Sequence, residues 1–288
     1  MLETVLACLP VAMATAITHT AVLYGGRVDE IRLYKNARIA VVAAGKNILV
    51  PSICDSTVME QTVRCLCGDS LYAHADTIRD GYIYSPHGFR VGVAGRAVCA
   101  NSRIERITDI TSLCIRIPRR HPGCADDVCR LATKDGKTNS ILIWSPPGVG
   151  KTTVLRELTL LLPAPPNPFR TAVIDTRYEL TAGEHAPEFL DILRGYPRAQ
   201  GMEIAVRTLN PQFVICDEIA SHEDAEAVKQ CASGGAAVIA SAHGGAVEDL
   251  HRQSAIHELI ADGIFPTLVG LHRVDGQIIH TVSTEGEA

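Results

Sequence analysis

The segment ILIWSPPGVGKTTVLREL, residues 141–158, restricts the fold of this 288-residue chain more than any other. An apolar run ends at Ser145, two prolines and a glycine-rich turn follow, and a helical stretch begins at Lys151. A strand that leads through glycines into a helix brings backbone N–H groups and the positive end of the helix to one point, where they can bind phosphate. The segment departs from the pattern Gly-x-x-x-x-Gly-Lys-Ser/Thr at its first position, where Ser145 stands.

Each residue type in this loop suits a role in binding a nucleotide. Gly148 and Gly150 permit a tight turn and a close approach of the backbone to phosphate. Lys151 can reach the outer phosphates, and the hydroxyl of Thr152 can ligate Mg²⁺. We therefore predict ATP and Mg²⁺ as cofactors, bound by Pro147, Gly148, Val149, Gly150, Lys151, Thr152 and Thr153.

A second candidate element is FVICDE, residues 213–218, in which four apolar residues precede two acids. If this strand lies beside the phosphate loop, Asp217 can hold the Mg²⁺ shell, usually through water, and it joins Thr152 as a predicted metal residue. Glu218 can orient or deprotonate the attacking water. The alternative is a strand that simply ends in solvent-facing acids.

Two further apolar strands end in residues with candidate roles. The apolar strand AVID ends at Asp175, with Glu179 four residues later; placement of water or Mg²⁺ and a helix-capping role for Asp175 fit equally well. AAVIASAH ends at His243, which could sense the γ-phosphate by hydrogen bonding, although a lone histidine is more often structural. Charge on a transferred phosphoryl group is often stabilised by an arginine from a neighbouring subunit. The candidate arginines are Arg90, Arg96, Arg177, Arg194 and Arg207.

The pattern of apolar residues divides the chain into two predicted domains. Residues 1–134 contain short alternating strands with some helix, which predicts an α+β domain, and a linker is expected at about residues 119–138. Residues 135–288 alternate apolar strands with helical stretches, which predicts an α/β domain with a mainly parallel sheet. The N-terminus lacks a basic region and Pro10 interrupts its apolar run, so two short helices are expected there rather than a leader or a membrane span.

Local patterns predict the elements of each domain. In the first domain, residues 30–34 and 38–50 predict three strands, the spacing of apolar residues over 59–78 predicts helix, and residues 82–98 predict a hairpin that turns at Pro86-His87-Gly88. Six strands are predicted in the second domain, at residues 141–144, 172–175, 213–217, 236–241, 267–271 and 277–282.

Composition argues against several classes of protein. A hydrophobic content of 47% and a charged content of 20% are globular values. The formal charge of -5 and the lack of a basic and aromatic stripe argue against nucleic acid as a partner. None of the ten cysteines forms a Cys-x-x-Cys pair, which favours reduced thiols over a zinc site or disulfides.

Several of these segments, in their order along the chain, resemble one family. RTLNPQFVICDEIASHEDAEAV and GGAAVIASAHG resemble the secretion ATPases of type II and type IV systems, in which an arginine (here Arg207) precedes the acidic strand and a Thr-x-His box follows it. EIRLY, GYIYSPHGFRVGVAGRAV, TSLCIRIPRRHPGCAD and SPPGVGKTTVLREL resemble, more closely, the stage III sporulation protein AA family of endospore-forming bacteria.

This resemblance implies a RecA-like P-loop ATPase core that follows an α+β domain. It implies a homo-oligomer, a hexamer, at the base of the channel that joins mother cell to forespore. The protein would lie in the cytoplasm, on the mother-cell face of the membrane, held there by other stage III sporulation membrane proteins. By motif, Lys151 and Thr152 would bind the nucleotide and Asp217 the Mg²⁺ ion. The predicted catalytic residues are Glu218, His243, Glu179 and Arg207.

The chain also departs from the family pattern. The family's DERSE is DTRYE here, so Thr176 replaces an acid and Tyr178 a serine, and its DEIGR is DEIAS, so Ser221 stands where an arginine is usual. These changes keep open a nucleotide-binding assembly scaffold with little turnover. A nucleic-acid-stimulated RecA-type ATPase is the other alternative to a ring ATPase.

Overall fold

The computed structural model describes residues 2–85, 88–117, 121–181, 187–274 and 277–284. The described residues form two compact units, one that holds the chain up to residue 117 and one that holds it from residue 121 onward. The domain boundary placed at residues 134/135 from the sequence stays a prediction.

The first unit is an antiparallel sheet of six strands in the order β3-β2-β1-β6-β5-β4. Side chains alternate across it, so that Ile31 and Leu33 are fully buried while Arg32 between them is exposed. The buried face forms one core with the helices of the unit, as the α+β prediction requires. The strands are β1 (Glu30–Tyr34), β2 (Ala37–Ala43), β3 (Lys46–Cys54), β4 (Tyr82–Tyr84), β5 (Arg90–Ala100) and β6 (Arg103–Arg116). The helices are α1 (Leu2–Leu6), α2 (Val11–Leu23), α3 (Ser56–Leu66) and α4 (Ala75–Arg79).

Two expectations for this unit need correction. The helix predicted over 59–78 is broken after α3, because Gly68 and Asp69 adopt the left-handed values φ 56° and φ 61°. The apolar run SLCIRIP predicts a strand over residues 112–117 only, whereas β6 has 14 residues and pairs with β5 in a long ribbon. The predicted hairpin is present as the β4–β5 pair, while Pro86 and His87 of its turn lie outside the described residues.

The second unit is a seven-stranded sheet in the order β13-β12-β7-β11-β10-β8-β9. Neighbouring strands are parallel except for β13, which is antiparallel to β12. The edge strand β9 was missed from the sequence because it is short and half-exposed. The strands are β7 (Ile141–Ser145), β8 (Thr171–Asp175), β9 (Leu190–Arg194), β10 (Phe213–Cys216), β11 (Ala237–His243), β12 (Thr267–Val274) and β13 (Gln277–Thr284).

Helices cover both faces of this sheet, which explains why its central strands are continuous apolar runs. Along β7, Leu142 and Trp144 pack into the core on one face, and Ile141 and Ile143 pack into the core on the other. One helix falls within the expected linker, and none of the helices in the described ranges is long and apolar enough to cross a membrane. The helices are α5 (Asp126–Ala132), α6 (Lys151–Leu161), α7 (Arg198–Leu209), α8 (His222–Ser233), α9 (Val247–His251) and α10 (Ser254–Ala261).

The order of the parallel strands determines where the candidate residues meet. Strands β7, β11, β10 and β8 are consecutive neighbours, so their carboxyl ends share one edge of the sheet. In open α/β sheets ligands bind at this edge. The phosphate loop follows β7, and Asp175, Asp217 and His243 lie at the ends of the other three strands.

Candidate nucleotide-binding site

The loop between β7 and α6 needs glycine at two positions, for different reasons. Gly148 has φ 78° and Gly150 has φ 138°, both values that L side chains rarely adopt. A Cβ atom at Gly148 would meet open space, whereas one at Gly150 would lie 2.6 Å from Cδ1 of Ile278. The sequence therefore folds here into a turn whose backbone is open to a ligand.

The side chain of Lys151 turns back onto the end of β7. Its Nζ donates to the carbonyl oxygen of Ser145 at 2.9 Å and to the Ser145 hydroxyl at 3.3 Å, and it lies 3.0 Å from Nδ1 of His243. Burial lowers the pKa of the Lys151 amine, while the carboxylates of Asp217 and Glu218 act in the opposite direction. The serine that replaces the first glycine of the motif is thus a direct partner of the lysine.

The carboxylate of Asp217 is held by two hydroxyl groups. Thr152 Oγ1 donates to Oδ2 at 3.2 Å, and Ser241 Oγ donates to Oδ1 at 2.5 Å. Oxygen donors are the ligands that Mg²⁺ prefers. The neighbouring oxygens of Thr152 and Asp217, the two predicted metal residues, therefore fit this ion.

Glu218 lies between a histidine and an arginine. Its Oε1 is 3.3 Å from Nε2 of His243, and its Oε2 accepts from Nη1 of Arg177 at 3.2 Å. Because the ammonium of Lys151 can only donate, its contact with Nδ1 of His243 requires that nitrogen to accept, which leaves Nε2 as the N–H that faces Glu218. These contacts form a continuous chain from Lys151 to Arg177.

The carboxylate of Asp175 holds the loop that follows β8 by hydrogen bonds. It is 1% exposed, and its carboxylate accepts from the backbone N–H groups of Glu179, Leu180 and Thr181 and from the Thr181 hydroxyl. These four bonds occupy both oxygens and hold the loop; residues 176–181 form turns and bends rather than a helix, so the helix-capping alternative for Asp175 is wrong. The guanidinium of Arg194 donates to Thr181 and so supports the same loop.

The predicted residues from these segments meet in one cleft of about 320 Å³. Its lining consists of Pro147, Gly148, Gly150, Lys151, Thr152, Thr153, Arg177, Glu179, Asp217, Glu218 and His243. Of the residues predicted for catalysis and for binding nucleotide or metal, two lie apart from it. Val149 packs against the core beside α6, and Arg207 is exposed in the last turn of α7.

Sequence reasoning missed the roles of two serines near the cleft. Ser221 is the N-cap of α8, where its hydroxyl accepts from the N–H of Asp224 at 3.1 Å. The spacing Ser-x-x-Asp before a helix is a capping signal that could have revealed this. The Ser241 contact with Asp217 had a weaker signal, since Ser241 occupies the first position of the segment compared with the Thr-x-His box.

The fold and the cleft define a P-loop protein with a RecA-like ATPase fold. The solved Legionella pneumophila ATPase DotB is similar, with a TM-score of 0.62 and 15% identity over 95% of this chain and 80% of that one. The pilus retraction motor PilT, solved with bound ADP, has a TM-score of 0.63 and 16% identity over 94% of this chain and 83% of that one.

The family follows from the sequence as a whole. Residues 3–280 match the family model described as Sporulation stage III, protein AA, and the chain belongs to that family. It is 28% identical over 277 residues to the stage III sporulation protein AA of Bacillus subtilis (strain 168), covering 93% of this chain and 90% of that protein. The resemblance stated from the motifs is therefore confirmed.

Proposed function

We propose that this chain binds ATP and Mg²⁺ in the cleft and hydrolyses the γ-phosphate, as a ring ATPase of a sporulation channel complex. The observation that carries the proposal is the convergence of Lys151, Thr152, Asp217, Glu218 and His243 from three separate segments. A chance glycine-rich turn would not be expected to bring the carboxylate of a separate strand, here Asp217, to hydrogen-bond distance from the first threonine of the helix.

Each residue has a role that follows from its position. Lys151 and the loop amides hold the phosphates, which requires the amine to leave the Ser145 oxygens. Thr152 and Asp217 would hold Mg²⁺, which when bound neutralises charge on the phosphates. Glu218 accepts the proton of the attacking water.

His243 links the phosphate side of the cleft to the acid. One ring nitrogen faces Lys151 and the other faces Glu218, so a phosphate that draws Lys151 away also releases the histidine. On this basis His243 reports the state of the γ-phosphate to Glu218. Glu179 also lines the cleft, where it helps to order water.

The assembly that we propose is a homo-hexamer at the cytoplasmic, mother-cell face of the membrane. The Bacillus subtilis relative is named for stage III of sporulation, and PilT, with a similar fold, is a motor solved with ADP. Other stage III membrane proteins would hold the ring at the membrane. Arg207 is exposed and outside the cleft of its own chain, which suits an arginine that acts on a neighbouring subunit.

A second candidate is a nucleotide-binding scaffold with little turnover. It is favoured by the contacts that the catalytic groups make with the protein itself, Glu218 with Arg177 and Lys151 with Ser145. A phosphate or a water must displace both contacts before hydrolysis can proceed.

Two substitutions separate these candidates. Glu218→Gln should bind a fluorescent ATP analogue about as tightly as wild type but lose turnover by about 10²-fold or more, whereas Lys151→Ala should lose binding. Glu203→Gln, at an exposed carboxylate of α7 outside the cleft, is the matched control and should hydrolyse normally. A wild-type rate no higher than that of Glu218→Gln, with binding intact, would favour the scaffold and overturn the hydrolysis.

A further inference from the structure

We infer that Ser241 is a positioning residue that sets the affinity of the cleft for Mg²⁺ by fixing the Asp217 carboxylate. The inference rests on the proposed function, since it concerns the same cleft. It goes beyond it by assigning a role to a residue of β11 that does not line the cleft.

The first step concerns the end of β10, which pairs with β11. The two strands are in parallel register through the pair Ile215 and Ile239, and β10 ends at Cys216 while β11 continues to His243. Beyond the last paired residues of the two strands, Ser241 continues the hydrogen bonding between them. Its carbonyl oxygen accepts from the N–H of Ile219 at 2.9 Å, and its hydroxyl accepts from the N–H of Glu218 at 3.0 Å.

The second step concerns the single proton of the hydroxyl. Because the Glu218 N–H donates to Ser241 Oγ, the hydroxyl proton is free to point at Asp217 Oδ1, 2.5 Å away. The other oxygen of Asp217 accepts from Thr152. Two hydroxyls therefore hold the two carboxylate oxygens and fix the rotation of the carboxylate, with Oδ2 kept on the side of Thr152.

The third step is the backbone of the acid itself. Glu218 has φ 46°, in the left-handed region that is costly for a residue with a side chain. The hydrogen bonds from Glu218 and Ile219 to Ser241 hold this turn. The same serine thus orients the metal residue and keeps the next residue in the conformation that sends its carboxylate to His243.

Packing alone does not call for a hydroxyl at this position. Ser241 is fully buried, and its neighbours Ala240 and Ala242 on the same strand are also fully buried, so small residues suffice for the sheet. Its hydroxyl contacts the carboxylate of Asp217 and the backbone N–H of Glu218, and both residues line the cleft. The hydroxyl is therefore placed for the site rather than for the core.

The test is a Mg²⁺ titration of the binding of fluorescent ADP, with the affinity in EDTA as a second readout. In Ser241→Ala we expect the half-saturating Mg²⁺ concentration to rise about 10-fold, as when an outer partner of a metal ligand is lost, with affinity in EDTA within about twofold of wild type. Ser241→Thr keeps the hydroxyl and should stay near wild type. Ser241→Cys, a weak donor, should fall between them and serves if the alanine variant does not fold.

Ser140→Ala is the matched control. The Ser140 hydroxyl also accepts a backbone N–H of β11, that of Val238 at 3.0 Å, but at the end of the sheet away from the cleft. Ser140→Ala should therefore leave the half-saturating Mg²⁺ concentration unchanged.

An unchanged half-saturating Mg²⁺ concentration in Ser241→Ala, or an equal loss of affinity with and without Mg²⁺, would overturn the role of Ser241. The proposed hydrolysis would survive that result. If wild type bound ADP with Mg²⁺ dependence but had no turnover, the hydrolysis would fail while the titration still decided the role of Ser241. A wild type that bound no nucleotide would overturn both.

Discussion

Single residues in the cleft satisfy one another's polar groups, and this determines what a nucleotide must displace. The amine of Lys151 is bound to Ser145 and faces His243, and the carboxylate of Glu218 is bound to Arg177. Phosphate can replace the Ser145 oxygens because a charged acceptor forms the stronger hydrogen bond with an ammonium. The affinity for nucleotide is thus the difference between two sets of contacts.

The burial of Lys151 has a consequence for stability against pH. Burial lowers the pKa of its amine in the folded chain, so in the alkaline range below the ordinary value of 10.5 the unfolded chain binds more protons at this position. Stability rises with pH wherever the unfolded state binds more protons. The free energy of unfolding of wild type, relative to Lys151→Met, should therefore increase as the pH rises from 7.5 towards 10.5, measured by urea unfolding. A difference that shrinks over this range would contradict the assigned burial.

The roles of residues were predictable from sequence only where a local pattern determines them. Lys151 and Thr152 follow a strand and a glycine turn in the same segment, so their place was clear. Asp175 and Asp217 both end apolar strands, yet the loop after β8 folds back and occupies the oxygens of Asp175, whereas Asp217 stays beside Thr152. The role of Ser241 depends on the register between β10 and β11, and its place in the segment compared with the Thr-x-His box does not reveal the contact with Asp217.

At the scale of elements, the site depends on how strands end and helices begin. The phosphate loop is held between the end of β7 and the first turn of α6. The helix after the acid pair, α8, begins with a capping box in which Ser221 and Asp224 satisfy each other's backbone N–H groups. The sequence predicted β7, the loop and the start of α6, but it missed the cap of α8 and the edge strand β9, whose half-exposed side chains lack a continuous apolar run.

Substitutions of the two loop glycines should separate backbone strain from steric contact. Gly148→Ala strains φ alone, and we expect a loss of about 1–3 kcal/mol in the free energy of unfolding. Gly150→Ala adds a close contact with Ile278 to a similar strain, so it should cost more. Ile278 also packs against the core, so Ile278→Ala is the reference: in that background, Gly150→Ala should cost about as much as Gly148→Ala does in wild type, as measured by urea unfolding. No cost of Gly150→Ala in that background would show that φ at position 150 carries no cost.

Substitutions at the start of α8 should lower the free energy of unfolding by different amounts. Ser221→Ala removes the N-cap and should lower the free energy of unfolding by about 1 kcal/mol. The guanidinium of Arg198 is largely buried and bound to Asp224 at 2.7 Å. Asp224→Ala removes this partner as well, so it should lower the free energy of unfolding by about 3 kcal/mol or more. Equal effects of the two substitutions on urea unfolding would contradict a paired role for Arg198.

At the scale of the whole molecule, the family match and the fold both bear on the proposed site. The family match spans residues 3–280, and the fold is that of RecA-like ATPases. Every residue that we assign to hydrolysis, except Arg207, lines the cleft of the second unit. If Arg207 acts on a neighbouring subunit, as we propose, turnover should depend on assembly.

The central claim is a hydrolytic site that neighbouring subunits complete, and the rate of ATP hydrolysis per subunit against protein concentration tests it most directly. Glu218→Gln provides the blank, and sedimentation reports assembly over the same range. We predict a cooperative rise in the rate that coincides with assembly, is absent in Glu218→Gln, and is strongly reduced in Arg207→Ala. A rate per subunit that is independent of concentration would contradict a shared site, and a rate no higher than the blank in assembled protein would contradict hydrolysis itself.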